Sequence, residues 1–185
     1  MKLLIVGLGN PGVKYEGTRH SIGFRLVDRF VDSKGVTFSN DKKCPLAKFF
    51  LEDKQIYVLK PFEFMNLSGN CVSQVLRANG IQPENMLVVH DEIDFPFEKI
   101  KIKIAGGHAG HNGLKDIVSR IGTPNFYRLR VGVGRPPQGD DVADYVLSKF
   151  NGEENKKLPE IQTKVQDMIL QWILERQKEI NQKTK

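Results

Sequence analysis

The stretch MKLLIVGLGNPG, residues 1–12, combines an apolar run with a glycine-rich loop. Residues 1–6 have the short apolar pattern of a strand that is buried on both faces. Gly7, Gly9 and Gly12 follow with the spacing G-x-G-x-x-G, which dinucleotide-binding loops share. The stretch therefore predicts a buried strand of an α/β sheet, followed by a loop that has to be tested as an NAD site.

An NAD site requires a helix that begins inside the glycine motif, because the N-terminus of that helix faces the pyrophosphate. Residues 10–17, NPGVKYEG, suit the first turns of a helix poorly, since they contain a proline, two glycines and a β-branched valine. The helical pattern begins only near Ser21, too late to hold a phosphate at Gly9. The sequence therefore argues against an NAD-dependent oxidoreductase.

The rest of the chain alternates strand and helix patterns, with no repeat or linker that would divide it. The predicted strands cover residues 55–59 and 86–90, and the predicted helices cover residues 24–31, 71–78, 115–121 and 158–180. The last helix is long and amphipathic, with Pro159 near its start. Its apolar side chains are Leu158, Ile161, Val165, Met168, Ile169, Trp172, Ile173 and Ile180. Alternating strands and helices predict one α/β domain over residues 1–185.

Composition sets the class of protein. A chain of 185 residues that is 39% hydrophobic can form one full core. Residues 3–6 are too short for the apolar region of a signal peptide, and no apolar run approaches the roughly 18 residues of a membrane-spanning helix. Cys44 and Cys71 match no zinc or redox spacing, so we expect free thiols in a reducing cytoplasm. Lys and Arg number 28 against 22 Asp and Glu, an excess of six that fits either an anionic partner or simple solubility.

Two segments carry basic side chains at every second position. In residues 98–104, EKIKIKI, three lysines alternate with three isoleucines, and residues 128–131, RLRV, repeat the pattern with arginines. Either strand alone would be typical of a solvated face of a mixed sheet. Both run directly into glycine loops, however, where ligand sites commonly lie, so together they favour phosphate binding.

Polar side chains collect at predicted strand ends and loops. They are one imidazole, His20, the acidic stretch after His90, and the loop asparagines Asn10, Asn66 and Asn112. No serine or cysteine lies in a nucleophile motif, so the set favours water activated by a general base. A metal held by His90, Asp91, His108 and His111 is the alternative, although a histidine pair in a glycine loop lacks the rigid spacing of metalloprotease ligands. Asparagine is also an ordinary turn residue, so both roles stay open for each amide.

Seven segments resemble the bacterial peptidyl-tRNA hydrolase family, in the family's order. They are GLGNPG, Tyr15, TRHSIGF, KPFEFMNLSG, HDEID, GGHAGHNGLKD and NFYRLRVGVGRP, within residues 3–136. The resemblance implies a monomeric α/β fold with a twisted mixed sheet flanked by helices, a long C-terminal helix, and no metal or organic cofactor. It implies a cytoplasmic enzyme that hydrolyses the ester between a peptide and the 3′ end of tRNA, and so recycles prematurely released peptidyl-tRNA.

The resemblance also implies residue roles. His20 would be the general base, supported by Asp91. The side chains of Asn10, Asn66 and Asn112 would hold the substrate and order the water, with Phe64 and Met65 as pocket walls. Tyr15 would contact the 3′ CCA end, His111 would assist, and Lys103 and Arg130 would bind phosphates of the acceptor end. Arg128, on the face of Arg130, could substitute for it.

Three positions depart from the family's usual pattern. Ser21 replaces a common asparagine, Glu63 a common threonine, and Ala109 a frequent glycine. Glu63 adds an acid near a site meant for a polyanion. A non-catalytic RNA-binding relative of the same fold is the alternative function, and the presence of His20, Asp91 and the three asparagines argues against it.

Overall fold

Six strands form one mixed sheet in the computed structural model, which describes the backbone of residues 1–183 and the side chains of residues 1–176. The strands are β1 (Lys2–Gly7), β2 (Leu46–Leu51), β3 (Lys54–Leu59), β4 (Met86–Glu92), β5 (Ile100–Ile104) and β6 (Tyr127–Gly132). Their order across the sheet is β2-β3-β1-β4-β6-β5. The four inner strands are parallel, and the outer strands β2 and β5 are antiparallel to their neighbours. The predicted mixed sheet is confirmed.

Helices cover both faces of this sheet. They are α1 (Ile22–Ser33), α2 (Ser68–Asn79), α3 (Asn112–Ile121), α4 (Val142–Val146) and α5 (Gly152–Lys183). Leu3 and Ile5 of β1 pack in one core with α1 and α5, whereas Leu4 and Val6 pack in a second core with α2 and α3. The alternating side chains of β1 are therefore buried on both faces, as its apolar pattern predicts. Within the described residues, no helix is long and apolar enough to cross a membrane.

The C-terminal helix begins earlier than predicted. The Asn151 side chain accepts the N–H of Glu154 at 2.8 Å, and the Glu154 carboxylate accepts the N–H of Asn151 at 2.9 Å. This reciprocal cap starts α5 at Gly152, so Pro159 lies inside the helix rather than near its start. The buried face contains the predicted Leu158, Ile161, Val165, Ile169, Trp172 and Ile173, with Met168 partly buried, and Ile180 lies outside the described side chains.

The glycines of the opening loop allow α1 to approach the sheet closely. A side chain at Gly23 would lie 2.4 Å from the Leu8 nitrogen and the Val89 oxygen, and one at Gly7 would lie 2.4 Å from the Gly23 oxygen. The N–H of Phe24 donates to the Leu8 carbonyl at 3.2 Å. These contacts fix the start of α1 against the ends of β1 and β4, which gives the glycines a packing role without a dinucleotide.

The expectation of free thiols is wrong. Cys44, just before β2, is bonded to Cys71 in the first turn of α2, and their Cα atoms are 5.4 Å apart. The two residues are separated by 27 positions, and the segment that carries Cys44 lies beside the segment that leads into α2, where the Phe62 N–H donates to the Lys43 carbonyl at 2.7 Å. Sequence spacing cannot reveal a pair that the path of the chain brings together.

Candidate active site

His20 and Asp91 meet at the ends of neighbouring elements. His20 lies in a 3-10 turn, Arg19–Ser21, which leads into α1, and Asp91 lies near the end of β4. Nδ1 of His20 is 2.8 Å from Oδ2 of Asp91, whose side chain is 2% exposed. A carboxylate accepts hydrogen bonds, so Nδ1 carries the proton and Nε2 has the free lone pair. The structure thus brings together an imidazole and a carboxylate in the geometry of an oriented base.

His111 holds the other oxygen of Asp91. Its Nε2 is 2.8 Å from Oδ1 of Asp91. Its Nδ1 accepts the backbone N–H groups of Gly113 and Leu114 at 3.2 and 3.3 Å, which caps the start of α3. Because Nδ1 is an acceptor, Nε2 is the donor to Asp91. We call His20, Asp91 and His111 the imidazole–carboxylate cluster.

The cluster shifts the pKa values of its members. Burial would raise the pKa of Asp91, but the two imidazoles and their hydrogen bonds outweigh burial and hold that pKa well below its usual range. Burial would lower the pKa of His20, but the charge of Asp91 and its hydrogen bond raise that pKa above the ordinary value of 6.5. Near neutral pH, Asp91 is therefore ionised, and its charge favours the protonated form of His20.

His90 lies beneath this cluster as a neutral group. Its Nδ1 is 2.8 Å from the Asp91 carbonyl, and its ring packs edge-on against His111 at 5.1 Å. Burial, followed by the neighbouring charge of His111, lowers the pKa of His90 to about 3. An uncharged His90 supports the cluster by packing. The carboxylate of Asp91 therefore interacts with His20 and His111 and not with a charged His90.

A cavity of about 920 Å³ opens beside the cluster, and all three predicted asparagines line it. Asn10 is 9% exposed, and its Oδ1 accepts the Met65 N–H at 2.7 Å, which orients its amide. Asn66 and Asn112 are exposed within the cavity lining. Three amides therefore surround the space next to His20, where they can donate to a substrate carbonyl.

The predicted pocket walls are present, with one difference. Phe64, 55% exposed, and buried Met65 line the cavity. Tyr15 does not line it, but its ring packs edge-on against Phe64 with the centroids 6.3 Å apart. Tyr15 therefore lies at the rim of the cavity, behind Phe64.

Lys103 and Arg130, called here the basic pair, line the far side of the cavity. Lys103 on edge strand β5 is exposed, and no ion pair to it occurs among the described residues. Arg130 on β6 is paired with Glu92, at 2.6 Å from its Nη2 and 2.8 Å from its Nε. The sequence did not reveal this partner, although Glu92 directly follows Asp91. The charge of Lys103 is thus more available to an anion than that of Arg130.

Arg128 has a different task from Arg130. It is 2% exposed, and its guanidinium donates to the carbonyls of Gly106 and Gly107 at 2.9 and 2.5 Å. It therefore supports the glycine loop that leads to His111, and it cannot replace Arg130 in a surface role. Its burial overturns the expectation that the two arginines are interchangeable.

Comparison with known proteins identifies the family. The family model described as peptidyl-tRNA hydrolase matches residues 4–185. A peptidyl-tRNA hydrolase of Chloroflexus aggregans is 43% identical over 168 residues, which is 90% of this chain and 89% of that protein. The chain belongs to the peptidyl-tRNA hydrolase family.

Solved structures of peptidyl-tRNA hydrolases share the fold. The Acinetobacter baumannii protein matches with a TM-score of 0.85 and 37% identity, covering 94% of this chain and 91% of that one. A peptidyl-tRNA hydrolase in complex with n-propanol matches with a TM-score of 0.84 and 39% identity, covering 89% and 85%. The predicted family and its α/β fold are confirmed.

The three departures from the pattern of peptidyl-tRNA hydrolases lie outside the imidazole–carboxylate cluster. Ser21 accepts the Asn10 N–H at 3.0 Å, so its hydroxyl supports the loop. Glu63 accepts from Asn70 at 3.3 Å and does not line the large cavity, although the next residue, Phe64, does. Ala109 has a φ of 48°, a left-handed conformation that favours glycine.

Arg19, within the family motif TRHSIGF, fixes the turn that carries His20. Its guanidinium donates to Glu154 at 2.7 Å and to the Lys149 carbonyl at 3.0 Å, and it lies 4.2 Å from the centre of the Tyr145 ring. The Arg19 N–H also donates to the Ser148 carbonyl at 3.0 Å. The sequence singled out His20 and missed its neighbour, which ties the turn to the start of α5.

The cluster also has to be considered as a metal site. His20, Asp91 and His111 offer ligand atoms within 4.8 Å of one another. Nδ1 of His20 and Nε2 of His111 both hydrogen-bond to Asp91, so these donors are already used. From the predicted alternative set, Nδ1 of His90 faces a carbonyl and Nδ1 of His108 accepts a backbone N–H. In this structure these side chains therefore hydrogen-bond to one another and to backbone groups.

Proposed function

We propose that the chain hydrolyses the ester that joins a peptide to the 3′ end of tRNA. The observation that carries this proposal is the 2.8 Å contact between His20 and Asp91 beside a cavity lined by three asparagines. Family membership supplies the substrate class. By this activity the chain would recycle tRNA from peptidyl-tRNA that leaves the ribosome early.

In the proposed mechanism, His20 is the general base. Its Nε2 removes a proton from water as the water attacks the ester carbonyl, and Asp91 stabilises the imidazolium that forms. His111 holds the second oxygen of Asp91, so the carboxylate cannot rotate away from His20. His111 is in this way a positioning residue, since it acts on the base through Asp91.

The asparagines would bind the acyl part of the substrate. Because Oδ1 of Asn10 is occupied by the Met65 N–H, the amide nitrogen is the group that faces a ligand. Asn112 at the start of α3 can donate to the oxyanion of the tetrahedral intermediate, and Asn66 can hold the peptide backbone. Phe64 and Met65 would form the apolar wall, with Tyr15 toward the CCA end.

The basic pair would bind phosphates of the tRNA acceptor end. Lys103 is exposed on the cavity wall and would supply most of the attraction. At Arg130, a phosphate has to compete with the carboxylate of Glu92. We therefore assign the larger share of phosphate affinity to Lys103.

We further propose a monomeric cytoplasmic enzyme that requires neither metal nor organic cofactor. The tRNA substrate, which is cytoplasmic, carries the assignment of compartment. The nature of this substrate outweighs the evidence of the Cys44–Cys71 disulfide, although disulfides are more common outside the cytoplasm.

The deciding experiment is a turnover assay with N-acetyl-aminoacyl-tRNA. Release of the acyl group by the purified chain is the expected result. Binding of this tRNA without release would replace the proposal with the non-catalytic RNA-binding function, and absence of both would reject tRNA as the ligand.

A further inference from the structure

A second cavity, of about 460 Å³, lies on the α1 side of the loop that follows β1. Asn10 and Ser21 line it together with Phe24 of α1 and Phe62, which follows β3. Asn10 also lines the large cavity, so the two cavities adjoin at this asparagine. A ligand in the large cavity that reaches Asn10 therefore lies next to the second cavity.

Two aromatic rings form a fixed wall of this second cavity. Phe24 and Phe62 are stacked, with ring centroids 6.0 Å apart and an angle of 21° between the rings. The Phe24 ring rests on Gly9, where an added side chain would lie 2.6 Å from it. Phe62 is 39% exposed, so part of its ring is accessible to a ligand in the cavity that it lines.

The strand order indicates the direction in which a peptidyl-tRNA would lie across the two cavities. The second cavity lies where β3 and β1 end, and the basic pair lies on β6 and β5, with Asp91 of β4 between them. Neighbouring strands are about 4.8 Å apart, so β1 and β5 are separated by roughly 14 Å. Phosphate groups, ester and acyl group follow in the same order along peptidyl-tRNA. Phosphates at the basic pair and an ester at His20 therefore direct the acyl group past Asn10, toward Phe24 and Phe62.

The charges around the second cavity suit a peptide better than a nucleotide. Glu16, Asp28 and Asp32 line it together with Arg25, Arg29 and Lys60, so charges of the two signs balance and the cavity offers no net positive charge to a phosphate. Lys60, 2.9 Å from Asp28, lies 5.5 Å from the Phe24 ring centre and 5.7 Å from that of Phe62. An aromatic wall bordered by charged groups of both signs fits a peptide, which combines an apolar side chain with a polar backbone.

We propose that this second cavity, the acyl subsite, binds an apolar side chain of the residue that precedes the esterified amino acid; this inference rests on the proposed function. One residue of extended chain covers about 3.5 Å, enough to carry that side chain past Asn10. Phe62 is the specificity-determining residue of the acyl subsite, because its ring is the exposed part of the wall.

The test compares two substrates that differ only at that residue: N-acetyl-Phe-Ala-tRNA and N-acetyl-Gly-Ala-tRNA on the same tRNA. Partial burial of the phenylalanine should raise kcat/KM about tenfold over the glycine substrate. In Phe62→Ala we expect this ratio to fall to about two or less, in Phe62→Leu to an intermediate value, and in Phe62→Tyr to remain. Each ratio is measured on one protein sample, so a variant with a lower folded yield still reports it.

Phe50→Ala is the matched control, because Phe50 is 73% exposed on β2 and lines neither cavity. Its ratio should equal that of the unmodified chain. Equal kcat/KM values for both substrates in the unmodified chain, or an unchanged ratio in Phe62→Ala, would overturn the acyl subsite while the proposed function stands. Failure of the unmodified chain to hydrolyse either substrate, or N-acetyl-Ala-tRNA, would overturn the proposed function and the subsite with it.

Discussion

The imidazole–carboxylate cluster and the basic pair line one cavity, but the fold builds them differently. The side chains of His20, Asp91 and His111 are 13%, 2% and 10% exposed, and each is fixed by hydrogen bonds to the others or to backbone. Lys103 extends from an edge strand into solvent. Proton transfer requires fixed geometry, whereas phosphate attraction requires only charge at the right distance. Substitutions in the cluster should therefore change kcat, and substitutions in the basic pair should change KM.

The largest effect is expected for His20→Ala. Loss of the general base should lower kcat about 10²- to 10⁴-fold, with little change in tRNA binding. His108→Ala is the matched control, since it removes an imidazole of the same cavity that has no bond to Asp91. Near-normal turnover by folded His20→Ala would remove His20 from the mechanism.

Asn112→Ala is expected to have the next largest effect on kcat. Removal of a preorganised donor to the oxyanion should lower kcat by up to about 10²- to 10³-fold. Asn66→Ala should act more on KM, because that amide is assigned to the peptide backbone. Asn70→Ala, an exposed asparagine outside the cavity, should retain full activity. Full activity of the first two variants would reduce both asparagines to turn residues.

The basic pair should give a smaller effect, on KM. Groups that bind ground state and transition state alike change KM and leave kcat intact. Lys103→Ala should raise KM and reduce the slope of log KM against log salt by about 0.7 to 0.9. Arg130→Ala should act less, since Glu92 already pairs with that arginine. Lys99→Ala, on the same basic segment but outside the cavity, is the electrostatic control. A fall in kcat at unchanged KM would show that the pair acts in the chemistry or in the fold.

Metal removal is expected to have no effect on kcat. The ring nitrogens that face Asp91 serve as hydrogen-bond donors, so dialysis against EDTA should leave kcat unchanged. Inactivation that added zinc reverses would make the cluster a metal centre and remove the contrast with the basic pair.

Sequence patterns predicted the parts of the molecule that depend on local chemistry. The apolar run of β1 identified a buried strand, and the poor helix formers after Gly9 excluded the NAD loop. The cap formed by Asn151 and Glu154 also appears in the sequence as the pattern N-x-x-E. This pattern predicts the start of α5 correctly.

Contacts between distant segments could not be predicted in the same way. The Cys44–Cys71 bond, the Glu92–Arg130 pair and the tie from Arg19 to Glu154 depend on how the chain returns across the fold. The family motifs singled out His20 and Asp91, but no sequence spacing indicates that His111 holds the second carboxylate oxygen of Asp91. Such contacts require the three-dimensional structure.

The pH dependence of kcat/KM, measured from about pH 5 to 8 on the unmodified chain and Asp91→Asn, tests the proposed base most directly. This parameter reports the pKa of the free enzyme's base, and only neutral His20 can accept a proton. Asp91 raises the pKa of His20 against the effect of burial, so activity should rise with pH through a midpoint above 6.5. Without the carboxylate charge, burial dominates, and the midpoint should move below 6.5 while the maximal rate falls. A midpoint that stays in place in Asp91→Asn would contradict the assignment of His20 as the base that Asp91 controls.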